Sequence, residues 1–480
     1  MLTCECECQC LQLVHALSSH VSFPGNTTYV AAEQSYWSLQ EARLSPACIV
    51  TPESAADVAK AVATIVGAGN CDFAIRGQSH APAAGFANIE AGVTIDMRKL
   101  GSISVNLDSS VAHVGAGASW LDVYTYLDTL NVSVAGGRNG AVGVGGLLLG
   151  GGISYFAPRV GWACDNVVNF EIMLASGHLV NANATSKPDL FRALKGGANN
   201  FGVVTRFDIA TFAQGEILAG KMSSPFSERQ AVFKAFAHLA DARHYDPYAS
   251  LVLGLTWTPA TGWATVTSTA AYTKPVLNPP TYNEFLSVPN TTSTLGITKL
   301  STYANETATP PLEWVFYTGT YGVSADLLSS ITDTFNETMS TTNIPGLVLW
   351  TFAFEPLPTI ITQYFLQKGG NSLGTTPADG NSVVLLITAL WNSTASDALV
   401  EQTAGKMVKD ANAIAQKMGL LKRFQYINYA DPSQDPIASY GEQNVQYLLA
   451  ASQKYDPKGV FQRKVPGGFK LPARQHYGLV

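Results

Sequence analysis

Charge is scarce in this chain of 480 residues: Asp, Glu, Lys and Arg together make up 13% of it, and the formal net charge is −6. Without clustered Lys and Arg there is no counterion-release term to hold nucleic acid or an anionic membrane surface, so neither is expected as a partner. Long apolar runs are missing too. The most apolar stretch, Leu147–Leu149, is flanked by glycines and falls far short of the roughly 18 residues that a spanning helix needs. No Gly-Lys-Ser/Thr is present for a nucleoside triphosphate, and neither Gly143-Val144-Gly145-Gly146-Leu147-Leu148 nor Gly115-Ala116-Gly117-Ala118-Ser119-Trp120 completes a dinucleotide fingerprint. Cys4, Cys6, Cys8 and Cys10 alternate instead of forming Cys-x₂₋₄-Cys pairs, and no second pair follows. No metal site is therefore expected. The first residues also lack the basic start and apolar segment of a signal peptide.

What is present describes a large folded protein. Hydrophobic residues are 46% and aromatics 10% of the chain, which at this length suits two domains with substantial cores. Seven Asn-x-Ser/Thr sequons, at Asn26, Asn131, Asn183, Asn290, Asn305, Asn336 and Asn392, suit a secreted, glycosylated form, with Cys10–Cys48 and Cys71–Cys164 as the expected disulfides. The first half alternates short strands and helices. A helix capped by Thr51, with Pro52 in its first turn, runs to Gly67 and leads to a strand at Phe73–Ile75. Strands at Val93–Met97 and Val111–Val114 and a helix over Ser119–Leu130 follow. Then come a hairpin of Val167–Leu174 with His178–Ala182, a helix at Pro188–Leu194 and a strand at Val203–Ile209. Beyond Gly215 the texture changes to longer alternating strands such as Leu251–Trp257 and Val383–Leu390, with a helix at Asp397–Lys417. The last sixty residues hold an irregular Tyr426–Tyr429 segment and a helix at Glu442–Lys454.

Two loops carry the chemistry. Arg76-Gly77-Gln78-Ser79-His80 leaves the Phe73–Ile75 strand, and residues 136–152 contain nine glycines in seventeen positions, a density that helices and strands do not tolerate. Something must approach that backbone closely, and free amides in such loops bind anions such as a pyrophosphate.

The run Phe73-Ala74-Ile75-Arg76-Gly77-Gln78-Ser79-His80 resembles the Phe-Ala-x-Arg-x-Gly-Gly-His loop of FAD-linked oxidases of the berberine-bridge-enzyme-like, vanillyl-alcohol-oxidase type. Val93-Thr94-Ile95-Asp96-Met97, Gly143-Val144-Gly145-Gly146, Gly150-Gly151-Gly152, Gly161-Trp162-Ala163-Cys164-Asp165-Asn166-Val167, Leu194-Lys195-Gly196-Gly197, Asn200-Phe201-Gly202-Val203-Val204-Thr205 and Tyr426-Ile427-Asn428-Tyr429 match in order. The resemblance implies a two-domain α+β flavoprotein. Residues 1–215 and 421–480 would build the FAD-binding domain, and 216–420 a substrate domain with an antiparallel sheet covered by helices. It implies FAD bonded through its 8α-methyl to His80 and held by Arg76, Gly77, Gln78, Ser79, Gly137, Asn139, Val142, Gly143, Gly145, Gly146, Gly152, Val204 and Asn428. Two departures stand out. Gln78-Ser79 replaces Gly-Gly, and Asn139 stands where many relatives carry a cysteine bonded to flavin C6, so a single covalent link is expected. Val142 lies where the family tunes oxygen access, and Tyr426 is the candidate base, although a phenol needs a neighbouring cation or hydrogen-bond network to ionise near neutral pH. Glu355, Trp350 and Trp391 are weaker candidates for the substrate side. The implied activity is oxidation of a small organic or carbohydrate alcohol by a monomeric enzyme using O2. An oxidative cyclase or desaturase of secondary metabolism, or a flavin carrier without redox catalysis, is the alternative.

Overall fold

The computed structural model describes residues 4–67, 71–305 and 311–473. Its first sheet runs Val21–Ser22, Cys48–Val50, Val93–Asp96, Phe73–Arg76, with the last three strands parallel and Arg76 opposite Asp96. The N-terminal residues pack against this layer as a helix, Cys4–Leu17, that buries Cys6, Cys10, Leu13 and Leu17. That spacing of four, three and four selects one helical face. It points Cys6 and Cys10 the same way and leaves Cys8 exposed as a free thiol. Cys10 bonds Cys48 as expected, but Cys71 bonds Cys6 rather than Cys164. The correction has a geometric cause: Cys71 lies just ahead of the edge strand under the N-terminal helix, while Cys164 is a buried free thiol. The Cys4 side chain lies outside the described residues.

The helix expected to open at Thr51 starts at Ala55 instead. The Thr51 amide is engaged by His20 O, and Ser54 Oγ accepts the Asp57 N–H in the capping role. A second, antiparallel sheet is ordered Ile103–Val105, Val111–Gly115, Val203–Ala210, Val167–Met173, Leu179–Asn183, and includes the expected hairpin. The helix Trp120–Asp128 is opened by a reciprocal Ser119–Asp122 capping box. Within the glycine-rich belt the chain forms a six-residue helix, Val144–Leu149, where the composition argued against one. Gly145 and Gly146 fall in its first turn, whose N–H groups have no intrahelical partners in any case.

The third sheet is the largest, with Ile217–Pro225, Gly262–Tyr272, Ala249–Thr258, Leu347–Leu357, Ser382–Trp391 and Glu313–Gly322 as successive antiparallel strands. Its cover includes the helices Arg229–Leu239, Ala325–Thr341 and Asp397–Lys417. One buried cluster joins the first two sheets with residues 424–471, and a second lies between the third sheet and its helices. The chain end returns to the first layer. Phe73 N–H donates to Lys464 O, Tyr440 OH donates to Gly196 O, and the helix Glu442–Tyr455 packs on Pro188–Leu194. Among the described residues no helix is long and apolar enough to cross a membrane.

Candidate cofactor and substrate site

The loop that leaves the first sheet is braced from below by Arg76, which is fully buried. Its Nε donates to Ser79 Oγ, Nη1 to Ala32 O and Nη2 to Ser35 Oγ, each at 2.8 Å, and its guanidinium lies 3.6 Å from the Tyr36 ring centre. All three nitrogens are thus engaged by protein. Ser79 has φ 59°, a conformation that costs a side chain and for which glycine is the default; the Arg76 bond anchors its hydroxyl there. Gln78 reaches across to Gly117 O at 2.7 Å. The two side chains standing where relatives have Gly-Gly therefore tie the turn down. The backbone N–H groups of Gln78, Ser79 and His80 find no acceptor among the described residues. A run of such amides through a left-handed residue forms an anion-binding concavity, and it fits a pyrophosphate.

His80 follows at once, half-buried, with its ring stacked on Trp37 at 4.1 Å and 19°. Burial lowers its pKa to about 4, so at neutral pH the imidazole is uncharged and retains a nucleophilic lone pair.

The glycine belt closes over this loop. A Cβ on Gly143 would stand 3.0 Å from Gln78 N, one on Gly145 would stand 3.4 Å from Ala116 O, and one on Gly146 would meet nothing within 4 Å. Two bonds at 3.0 Å, Trp120 N–H to Val142 O and Val144 N–H to Ala118 O, fix the approach. Val142 is half-buried against the first core, and Asn139 Oδ1 accepts the Ala141 N–H at 2.8 Å. Other belt glycines answer to packing. At Gly137 a Cβ would meet the Trp120 ring at 2.5 Å, and at Gly152, with φ 84°, it would meet Ala163 Cβ at 2.8 Å. Val204 is buried in the second sheet beside Ile172.

Tyr426 and Asn428 reach the belt from the returning segment. Ile153 N–H and Asn428 Nδ2 both donate to the Tyr426 hydroxyl oxygen at 3.1 Å, and Asn428 Nδ2 also donates to Leu147 O at 3.1 Å. Gly150 lies beneath, where a Cβ would fall 2.0 Å from Asn428 Oδ1 and displace that side chain. Burial pushes the Tyr426 phenol up to about 12; the Asn428 bond and Arg138 oppose this, and Glu355 reinforces it.

Arg138 is the residue that reading the sequence missed, although it is the sole charge in residues 136–152. Its Nη2 donates to Glu355 Oε1 and to the Tyr429 hydroxyl, both at 2.7 Å, and Tyr429 OH donates to Glu355 Oε1 at 2.8 Å. Although burial opposes its charge, Glu355 and Tyr429 hold the Arg138 pKa above its usual range. Burial pushes the Tyr429 phenol well up. The second Glu355 oxygen, Oε2, is buried without a hydrogen-bond partner among the described residues. Belt, third sheet and returning segment each contribute one member of this triad. Trp350 and Trp391, by contrast, are buried in the second core, Trp391 donating to Asp397. The aromatic wall is built from other residues. Trp37 packs at 4.0 Å on Trp314 and 5.8 Å from Phe316, Phe316 lies 6.2 Å from Tyr429, and Tyr429 lies 4.8 Å from Tyr426. A row of rings thus links His80 to Tyr426.

Residues 46–183 match the family model described as an FAD binding domain. The chain is 36% identical over 466 residues to the FAD-dependent monooxygenase drtC of Aspergillus calidoustus, covering 95% of this chain and 88% of that protein. To the FAD-dependent monooxygenase sdcF of Emericella nidulans it is 35% identical over 472 residues, covering 97% and 98%. Among solved structures, the xylooligosaccharide oxidase of Myceliophthora thermophila in complex with xylobiose superposes with a TM-score of 0.78 at 19% identity, covering 98% of this chain and all of that one.

Proposed function

The chain belongs to the FAD-binding oxidoreductases of the berberine-bridge-enzyme-like, vanillyl-alcohol-oxidase type, and from that premise we propose that it is an oxidase of a small organic or carbohydrate alcohol. Bound FAD supplies the hydride acceptor and passes the electrons to O2, giving H2O2. The protein's part is to hold the alcohol and receive its hydroxyl proton. Tyr426 takes that proton. Its oxygen already accepts hydrogen bonds from Ile153 N–H and Asn428 Nδ2, two donors that favour the phenolate form able to receive a proton. Arg138, oriented by Glu355 and Tyr429, draws the phenol's pKa down, against the larger opposite pull of Glu355. This two-donor setting of a buried phenol is the observation that carries the reading.

In the same reading His80 bears the only covalent link, since Asn139 offers no thiol. Residues 1–215 and 421–480 hold the cofactor while 216–420 supply the substrate face, and Val142 controls access of oxygen to the reduced ring. The sequon asparagines, six of seven exposed with Asn183 half-buried, support glycosylation of a secreted protein, which we take to be a monomer. The names of the relatives favour a second reading, in which one oxygen atom enters the substrate. Turnover of a panel of alcohols and phenols under ¹⁸O₂ separates the two. An oxidase gives H2O2 equal to product, with no ¹⁸O in the product; label in the product would overturn the oxidase reading.

A further inference from the structure

We propose that Trp37 is a positioning residue that sets the plane of the His80 imidazole for attachment of the cofactor, an inference that rests on the covalent reading above. Besides a hydrogen bond to its own backbone, no described residue hydrogen-bonds to the His80 ring, and the ring contact that faces its plane is the near-parallel stack on Trp37 at 4.1 Å. The terminal torsion of a histidine is broad and roughly two-fold when nothing restrains it. Attack by a ring nitrogen, however, requires the lone pair to be aligned with its target.

Trp37 is itself held on both sides. Tyr36 OH donates to Ala87 O at 3.2 Å, Ser38 Oγ donates to Pro82 O at 3.0 Å, and Leu39 N–H donates to Leu312 O at 3.0 Å. Gln40 exchanges two bonds with the Trp314 backbone, Nε2 to the carbonyl at 2.7 Å and the amide to Oε1 at 3.2 Å. Trp314 in turn packs on Trp37 at 4.0 Å. The edge strand Glu313–Gly322 of the third sheet thereby reaches through two indoles to the histidine of the first layer.

Attachment exchanges one hydrogen of the 8α-methyl and the N–H hydrogen of the imidazole for a new C–N bond. Two electrons remain on the ring system, and O2 removes them with two protons as H2O2, so atoms and electrons balance. Trp37 takes no part in these bonds and acts only by holding the ring that does.

The test compares parent, Trp37→Leu, Trp37→Phe, Trp314→Leu and His80→Ala, each purified as expressed and then incubated with added FAD. Total bound FAD is measured in the native protein, and covalent FAD as the fraction retained after acid precipitation, over time. We expect Trp37→Leu to bind FAD within about twofold of the parent but to attach it roughly three- to tenfold more slowly, the range that loss of one aromatic pair supplies. Trp37→Phe should restore most of the rate, and Trp314→Leu should fall between, which also provides a readout if Trp37→Leu does not fold. Attachment by both leucine variants at the parent's rate would overturn the proposal. Release of all FAD by the parent itself would overturn the covalent reading first, and a fully covalent parent separates the two failures.

Discussion

Replacing Glu355 by Leu removes the one carboxylate that the Arg138 guanidinium touches, and the consequence can be worked from burial. The pair is 2.7 Å apart with side chains 14% and 3% exposed, so it belongs with buried ion pairs, not with surface pairs worth about 0–1 kcal/mol. Removing one partner of a buried pair strands the other charge and costs about 3–5 kcal/mol. Glu355→Leu and Arg138→Met should each lose that amount. The double variant, which strands neither charge, should lose much less than the sum, with a coupling of at least about 2 kcal/mol. Glu355→Gln keeps an oxygen to accept from Arg138 and Tyr429 and should fall between the parent and Glu355→Leu. Urea unfolding followed by tryptophan fluorescence, with all four members of the cycle saturated with FAD so that cofactor linkage cancels, gives the coupling directly. Losses that add within about 0.5 kcal/mol would show that Arg138 is solvated in solution. The triad would then lose its claim to fix the charge beside Tyr426.

Tyr426→Phe should keep fold and cofactor but slow anaerobic flavin reduction by about 10²–10⁴, the usual contribution of a general base; since burial sets the phenol at about 12, the parent's reduction rate should rise with pH through the neutral and alkaline range, and a flat profile argues against Tyr426. Cys10→Ser opens a cross-link spanning 38 residues, for which the chain-entropy model gives about 4 kcal/mol, readable as a lower urea midpoint that reductant reproduces in the parent. Glu41 is raised to about 7 by burial, against the pull of the Ala87 and Gly85 N–H groups. With its folded pKa above the unfolded one, its stabilisation is full below about 4.5 and lost as pH rises through about 7. The stability of the parent relative to Glu41→Gln should therefore decline across that window, by on the order of 3 kcal/mol.

The helices Pro188–Leu194 and Asp397–Lys417 were legible to the residue because periodicity, N-terminal signals and flanking breakers agree there. The helix at Ala55 was read three residues early, since a Thr-Pro pair is also a good strand exit and nothing local reveals that the Thr51 amide is claimed by His20. The pairing of Cys71 failed for a similar reason, while that of Cys10 with Cys48 held. Spacing alone is silent on partners, but a helical reading of Cys4–Leu17 would have placed Cys6 and Cys10 on one face and asked for two partners on one sheet. His80, Tyr426 and Asn428 were singled out through motif, and the structure brings the last two together. Glu355 stood only as a weaker candidate, because an isolated acid in a strand carries no local signature; its meaning depends on Arg138 and Tyr429, 217 and 74 residues away.

The scarcity of charge noted at the outset gives the buried charges their meaning. An ionised group taken from water costs several kcal/mol that pairing only partly returns, so a chain that is 13% charged could have filled its interior with apolar side chains. It did not do so at the loops. Arg76, fully buried, braces the turn that ends in His80; Glu41, equally buried, accepts from Gly85 and Ala87 in the segment that follows; Glu355 holds Arg138 against the belt. Each fixes backbone that has little side-chain packing of its own, since glycines and short turns bury almost nothing. Hydrogen bonds to charged groups are directional and strong, and they supply the rigidity that a glycine-rich cradle lacks. Apolar substitutes at Arg76 or Glu41 could conserve overall stability and still loosen the cradle. Loss of FAD affinity without loss of thermal stability is therefore the outcome that separates this role from simple packing, and a variant that loses both in proportion would count against it.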